Sequence, residues 1–149
     1  MSGPSRRGAL CLAAFMAMAL ISSPAPADAG EAPLAIRGYD PVAYFTDGAP
    51  AHGRPDMSLE WDERRYLFST AEHREMFKAD PMRFAPQFAS YCAVSLARGE
   101  VEDGNPEYWL IRDGRLYLVG KPVGPALFEQ SFAGNVARAE ANRAIVKQR

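Results

Sequence analysis

Residues 57–79, MSLEWDERRYLFSTAEHREMFKA, decide the fold. Two short runs, 57–61 (MSLEW) and 65–68 (RYLF), alternate in hydrophobicity on either side of a charged turn, and this pattern predicts a β-hairpin. The sequence STAE at 69–72 follows directly and has the form of a capping box, so we expect a helix that begins there. It should end near Ala79, because an Asp-Pro pair follows.

A second hairpin is predicted between residues 108 and 119. The apolar runs 108–111 (YWLI) and 116–119 (LYLV) flank Asp113-Gly114, and Asp-Gly between apolar runs is typical of a tight hairpin turn. The strand-turn-strand unit is the longest internal repeat that the sequence predicts.

The other segments are predicted from apolar clusters, helix caps and helix breakers. They are a core anchor at 38–45, a loop at 49–56, a helical turn at 82–86, a helix at 88–96 closed by Gly99, and helix-prone sequence at 126–149 interrupted near Gly134-Asn135. The fold class expected from this order is α+β, a small single domain with two short β-hairpins and several short helices.

Composition limits the classes of function. The chain has 149 residues, of which 48% are hydrophobic and 23% charged, so it is long enough for one globular domain. Seventeen basic and eighteen acidic side chains give a net charge of -1, which argues against nucleic acid as a partner. Two cysteines exclude a disulfide-stapled miniprotein and a four-cysteine zinc module.

The first 29 residues have the features of a cleaved signal peptide. Arg6-Arg7 precede a run of thirteen apolar residues at 9–21, and the A-x-A pattern at 27–29 predicts cleavage between Ala29 and Gly30. The run is too short for a stable membrane anchor. We therefore expect a periplasmic protein, exported by either the general secretory or the twin-arginine route.

Removal of the signal peptide takes Cys11 away and leaves Cys92 as the one thiol of the mature chain. An intramolecular disulfide is then impossible, even in an oxidising compartment. The thiol must be buried, bound to a ligand, or paired in a disulfide with a second chain.

Several motifs in this order resemble an exported bacterial branch of the YHS-domain family. They are GYDPVAYF at 38–45, YLFS at 66–69, FKADPMRFAPQF at 77–88, YCA at 91–93 and DGRLYL at 113–118. The match covers roughly residues 38–140. The YHS family is similar to TRASH-type modules, so the resemblance implies a YHS/TRASH-like fold in which cysteines bind a transition metal where a hairpin meets a helix.

This chain departs from the metal-binding pattern of that family. Where metal-binding members have Asp-Pro-Val-Cys and Phe-Cys-Ser-x-x-Cys-x-x-x-Phe, the three cysteine positions are here Ala43, Ser69 and His73. Of these three, His73 is the one strong donor to a metal, so the inherited site is reshaped.

The candidate metal ligands are His73 and Cys92, an N,S pair suited to copper or zinc. Weaker candidates are Ser69 and Met76, which share the predicted helix with His73, and His52 in a polar loop. The competing interpretation is a packed histidine and a cysteine that acts as a small buried hydrophobe. Asp40, before a proline, is expected to cap a turn.

No catalytic motif is present: there is no Ser-His-Asp order, phosphate-binding glycine loop, HExxH or paired thiol. We expect a non-catalytic binding module for a copper or zinc ion or another small ligand, made of a signal peptide (1–29), a linker (30–37) and a YHS-like domain with a C-terminal helical extension (38–149). The alternative is a structural or interaction protein with a degenerate, metal-free site. Its exposed loop at 100–106 would then contact a protein partner in a periplasmic assembly.

Overall fold

The structure is a computed structural model that describes residues 31–146, so the predicted export signal and its cleavage site lie outside the described residues. The elements in chain order are α1 (Ala43–Thr46), β1 (Arg54–Trp61), β2 (Arg64–Phe68), α2 (Ala71–Ala79), α3 (Pro81–Phe84), α4 (Ala93–Ala97), β3 (Asn105–Arg112), β4 (Arg115–Val119), α5 (Gly124–Glu129), α6 (Phe132–Ala141) and α7 (Arg143–Val146). The predicted α+β class and both hairpins are confirmed. None of the helices in this part of the chain has the length and apolar character needed to cross a membrane.

Each hairpin is an antiparallel pair closed by a two-residue turn, β1 with β2 and β3 with β4. Asp62 and Glu63 in the first turn have φ of 49° and 60°, and Asp113 and Gly114 in the second have 53° and 69°. Two consecutive left-handed residues match the right-handed twist of the flanking strands, which is why such turns close tight hairpins.

The two hairpins belong to a longer internal repeat, so the prediction that no repeat exceeds the strand-turn-strand unit was wrong. Each strand boundary of the first hairpin recurs 51 positions later: Arg54 and Asn105, Trp61 and Arg112, Arg64 and Arg115, Phe68 and Val119. Both hairpins carry the same bulge, after Arg54 in β1 and after Asn105 in β3. A bulge at an equivalent place in both copies marks a shared architecture.

The repeat extends to the segment before each hairpin. Ile36 and Arg37 form a left-handed turn (Ala35–Gly38), and Phe88 and Ala89 form another (Gln87–Ser90), all four with φ between 48° and 63°. A tyrosine follows each turn and bridges to the residue near the start of its hairpin, Tyr39 to His52 and Tyr91 to Asp103. We refer below to the first repeat (35–79) and the second repeat (87–129).

Two hydrophobic cores stabilise the molecule, and β4 contributes to both. Leu116 and Leu118 lie in the core of the first repeat, with Phe68 and Phe77, whereas Tyr117 and Val119 lie in the core of the second. Because successive residues of a strand point to opposite faces, β4 is buried on both sides. It therefore joins the two repeats into one body.

The helices differ from the prediction at three places. Helix α2 is capped by Thr70, whose side chain accepts a hydrogen bond from the His73 amide, rather than by Ser69. The helix predicted at 88–96 is limited to α4, because the second left-handed turn occupies its first positions. The C-terminal helical segment breaks between α5 and α6, and the predicted interruption at 134–135 falls inside α6.

A buried hydroxyl links the repeats. The Tyr44 hydroxyl of α1 donates to the carbonyl of Pro106 in β3 over 3.0 Å. Burial raises the pKa of Tyr44 far above its ordinary value of 10.0. The phenol therefore stays protonated and remains a donor.

Equivalent glycines allow each hairpin to close, and this gives a first testable prediction. A Cβ on Gly53 would lie 2.4 Å from the Cβ of Leu67, and one on Gly104 would lie 2.7 Å from that of Leu118. We expect Gly53→Ala and Gly104→Ala each to lower the free energy of unfolding by about 2 kcal/mol, measured in urea. The control Gly134→Ala, inside α6, should instead stabilise by about 0.5 kcal/mol. Unchanged stability of both strand variants would contradict the close packing.

Alkaline pH gives a second prediction. Burial raises the pKa of Tyr66 from 10.0 to about 12, so the unfolded chain loses this proton before the folded chain does. The stabilisation is complete below the ordinary pKa and is lost as pH rises from about 10 towards 12. We expect the urea midpoint to fall between about pH 8 and about pH 11, and to fall less in Tyr66→Phe. An identical fall in both proteins would refute this assignment.

Candidate functional site

A buried carboxylate is the centre of the first repeat. Asp40 is fully enclosed, with 0% of its surface exposed. Its Oδ1 accepts a hydrogen bond from the Val42 amide at 2.9 Å. Its Oδ2 accepts from the Ser69 amide at 2.8 Å, the Ser69 hydroxyl at 2.7 Å and Nδ1 of His73 at 2.7 Å. Four donors replace the water that the carboxylate lost on burial.

Local sequence explains how these groups come together. Asp40 precedes a proline and bonds to the amide two residues on, which confirms its predicted role in a turn. Ser69 is the first residue after β2, and the Thr70 cap directs the first turn of α2 so that His73 faces inward. The carboxylate thus ties the turn before α1 to the junction of β2 and α2.

The imidazole of His73 is engaged at both nitrogens. Nδ1 bonds to Asp40, and Nε2 lies 3.1 Å from the Thr46 hydroxyl, which is itself 3.2 Å from the carbonyl of Val42. If the ring is neutral with its proton on Nδ1, Thr46 donates its single hydroxyl proton to Nε2 and the Val42 contact is lost. If the ring is protonated, Nε2 donates to Thr46 and Thr46 donates to Val42, so every donor has a partner.

The predicted ligands of the first repeat are used for structure. His73 is 8% exposed and its Nε2 lies against the Thr46 hydroxyl, while Ser69 donates its hydroxyl proton to Asp40. Met76 packs against the first core, and His52 is exposed beside the ring of Tyr39, at 4.1 Å between ring centroids. The structure brings Ser69 and His73 together, and both form hydrogen bonds to Asp40.

Cys92 lies in the second repeat, apart from this network. Its Sγ accepts hydrogen bonds from the Gly120 amide at 3.1 Å and from the Ser95 amide at 3.5 Å. The side chain is 4% exposed and caps α4. His73 and Cys92 therefore bond within different repeats, and none of the hydrogen bonds of either side chain involves the other.

Asp40 and Cys92 occupy equivalent positions of the two repeats. The Asp40 amide donates to the carbonyl of Ala51, and the Cys92 amide donates to that of Glu102, both over 2.8 Å. Each side chain also accepts from the first residue after its hairpin, Ser69 for Asp40 and Gly120 for Cys92. The second repeat thus holds a thiol where the first holds a carboxylate.

A cavity of about 120 Å³ opens beside Cys92. Its walls include Cys92, Glu102, Gly120 and Gly124, and its mouth includes Val123, a valine that is 55% exposed. Arg98 and Lys121 also line it, as does Glu100, so positive and negative side chains are balanced. An apolar cavity of about 150 Å³ holds one benzene molecule, so this space suits a single small ring.

The loop at 100–106 is less exposed than predicted. Gly104 is buried and packs closely against Leu118, and Pro106 is fully buried within β3. Glu102 accepts a hydrogen bond from the Ser95 hydroxyl at 2.5 Å. Gly104 and Pro106 are therefore part of the packed interior of the second repeat, and the exposed positions of the segment are Glu100, Glu102 and Asp103.

Comparison with protein-family models, with curated proteins and with solved structures finds no match to this chain. Within residues 31–146, no group of three or more His, Cys, Asp or Glu side chains is arranged to hold a metal ion. Both ring nitrogens of His73 are already bonded, so the donors of the first repeat do not fit a metal centre as they stand.

Sequence reasoning missed two members of the network. The sequence predicts that Asp40 caps a turn but does not predict its bonds to Ser69 and His73, because these partners lie 29 and 33 residues away in sequence. Nothing in the local sequence marks Thr46 as a partner of His73. The resemblance to the YHS family offers a signal: positions 43 and 69 lack the cysteines of its metal-binding members, so polar groups near them need other bonds.

Substitution of Asp40 tests the importance of the buried carboxylate. In Asp40→Asn the new amide group would face donors rather than acceptors, so we expect the free energy of unfolding to fall by about 3 kcal/mol. Asp47→Asn, at an exposed position, is the matched control and should change stability by less than about 0.5 kcal/mol. Urea unfolding measures both, and equal small effects would show that the network does not stabilise the fold.

Proposed function

We propose that this protein is an exported, periplasmic, non-catalytic binding module whose ligand site is the Cys92 cavity. The observation that carries the proposal is a buried sulfur in the wall of a cavity of about 120 Å³. Two backbone amides hold the sulfur in place from within, so its position is fixed before a ligand arrives. The YHS-like motifs and the signal-peptide pattern support the same class of protein.

The donor set favours a small organic ligand over a metal ion. Cys92 offers one sulfur, and the nearby Glu102 carboxylate already accepts from Ser95. Copper or zinc, which the family resemblance implies, requires further nitrogen or sulfur donors, and the imidazole of His73 is bonded in the other repeat. A neutral ring instead needs shape, apolar contacts and a few polar groups, which the cavity supplies.

One observation favours a second function, that of a structural or interaction protein with a metal-free site. Asp40, Ser69 and His73 satisfy one another, so the place where metal-binding relatives carry cysteines is closed by internal hydrogen bonds. A partner would then contact the exposed surface, for example at Val123, rather than enter a site.

Ligand-dependent stabilisation of the mature chain tests the proposal. The protein is purified from the periplasm without chelators, and bound metal is measured by elemental analysis. Its Tm is then recorded with Zn²⁺, with Cu⁺ and with a panel of single-ring organic fragments. We expect at least one fragment to raise Tm by about 2 °C or more in the wild type and to lose its effect in Cys92→Ala. His73→Gln is the control and should keep the ligand response, although its own stability is lower.

Two outcomes would contradict the proposal. A protein that contains stoichiometric zinc or copper, lost in His73→Gln, would identify a metal site in the first repeat instead. A protein without metal, stabilised by no probe and with a thiol that reagents do not reach in the folded state, would favour the interaction protein.

A further inference from the structure

The two repeats carry the same backbone frame around different side chains. In the first, the carboxylate of Asp40 receives two backbone donors and two side-chain donors, the Ser69 hydroxyl and the His73 ring. In the second, the sulfur of Cys92 receives two backbone donors and no side-chain donor among the described hydrogen bonds. The second site thus lacks what Ser69 and His73 supply in the first.

Glycines stand where those two side chains would be. The hairpins are offset by 51 residues, and this offset pairs Ser69 with Gly120 and His73 with Gly124. Both glycines line the cavity. A Cβ on Gly120 would lie 3.6 Å from the sulfur of Cys92, so the missing side chain leaves space directly beside the sulfur. A Cβ on Gly124 would instead lie 2.7 Å from the Cβ of Val119, so the free space lies on the Gly120 side of the sulfur, where the first repeat has Ser69.

We propose that the ligand of the Cys92 cavity is a small neutral planar ring with an N–H donor. In the second repeat this ring would be the hydrogen-bond donor to Cys92, as the His73 imidazole is the donor to Asp40 in the first repeat. This rests on the proposed function and names the ligand class. The ring N–H would donate to the sulfur, as the Nδ1–H of His73 donates to Asp40. The volume of about 120 Å³ fits one five-membered ring.

The walls of the cavity agree with such a ring. Val94, Val123 and Leu127 offer apolar surface for its faces. The opposite charges of Arg98, Lys121, Glu100 and Glu102 balance, so the lining does not select a strongly charged ligand.

Imidazole and 1-methylimidazole are matched probes, since methylation removes the N–H and keeps the ring. They are titrated into the ¹⁵N-labelled mature protein while the backbone amide signals of Ser95 and Gly120 are followed. We expect imidazole to shift both signals and 1-methylimidazole to bind about tenfold more weakly, the loss expected for one hydrogen bond.

Two variants make the test specific. Gly120→Ser restores the counterpart of Ser69 in a space that accepts its Cβ, and it should weaken imidazole binding about tenfold or more. Gly134→Ser makes the same chemical change inside α6 and should leave binding unchanged. Cys92→Ala, which removes the acceptor, should weaken imidazole and 1-methylimidazole to the same affinity.

The inference is overturned if imidazole and its methyl derivative bind equally, if imidazole shifts other amides only, or if Gly120→Ser has no effect. If imidazole does not bind while Zn²⁺, Cu⁺ or another fragment stabilises the protein in a Cys92-dependent manner, the ligand class inferred here is wrong and the proposed function is still supported. If no probe binds in a Cys92-dependent manner, both the ligand class and the proposed function are wrong.

Discussion

The fold depends on one buried carboxylate. Asp40 is removed from water completely, and a bare charge in that position would cost several kcal/mol. Four donors from three residues offset this cost, and those residues come from the turn before α1, the end of β2 and the first turn of α2. Any arrangement that separates these segments leaves the carboxylate without partners, so the network selects one packing of the first repeat.

Sequence patterns were sufficient where the relevant forces are local. The alternation of apolar residues and the Asp-Gly pair predicted the second hairpin, because a tight turn and a half-buried strand each require a characteristic pattern of residues over a short stretch of sequence. The same holds for the inward face of α2, where His73 and Phe77 are both buried. The cap of α2 was misassigned by one residue, since the Ser69 hydroxyl is drawn to Asp40 and Thr70 takes its place.

Features that depend on distant contacts were not predictable in this way. The left-handed turns contain Ile36 and Arg37 in one repeat and Phe88 and Ala89 in the other, residues that give no turn signal because left-handed backbone normally favours glycine. When those turns are not recognised, the sequence at 88–96 predicts a longer helix, and the similarity between the two repeats is not apparent. The two repeats share few identities, such as Tyr39 with Tyr91 and Tyr66 with Tyr117, although their backbone hydrogen bonds correspond.

The position of β4 has a consequence for how the molecule loses its structure. Leu116 and Leu118 pack in one core while Tyr117 and Val119 pack in the other. Neither core therefore keeps its packing when β4 unfolds. Opening of either half therefore exposes apolar surface of both, and the two copies behave as a single cooperative unit despite their separate hairpins.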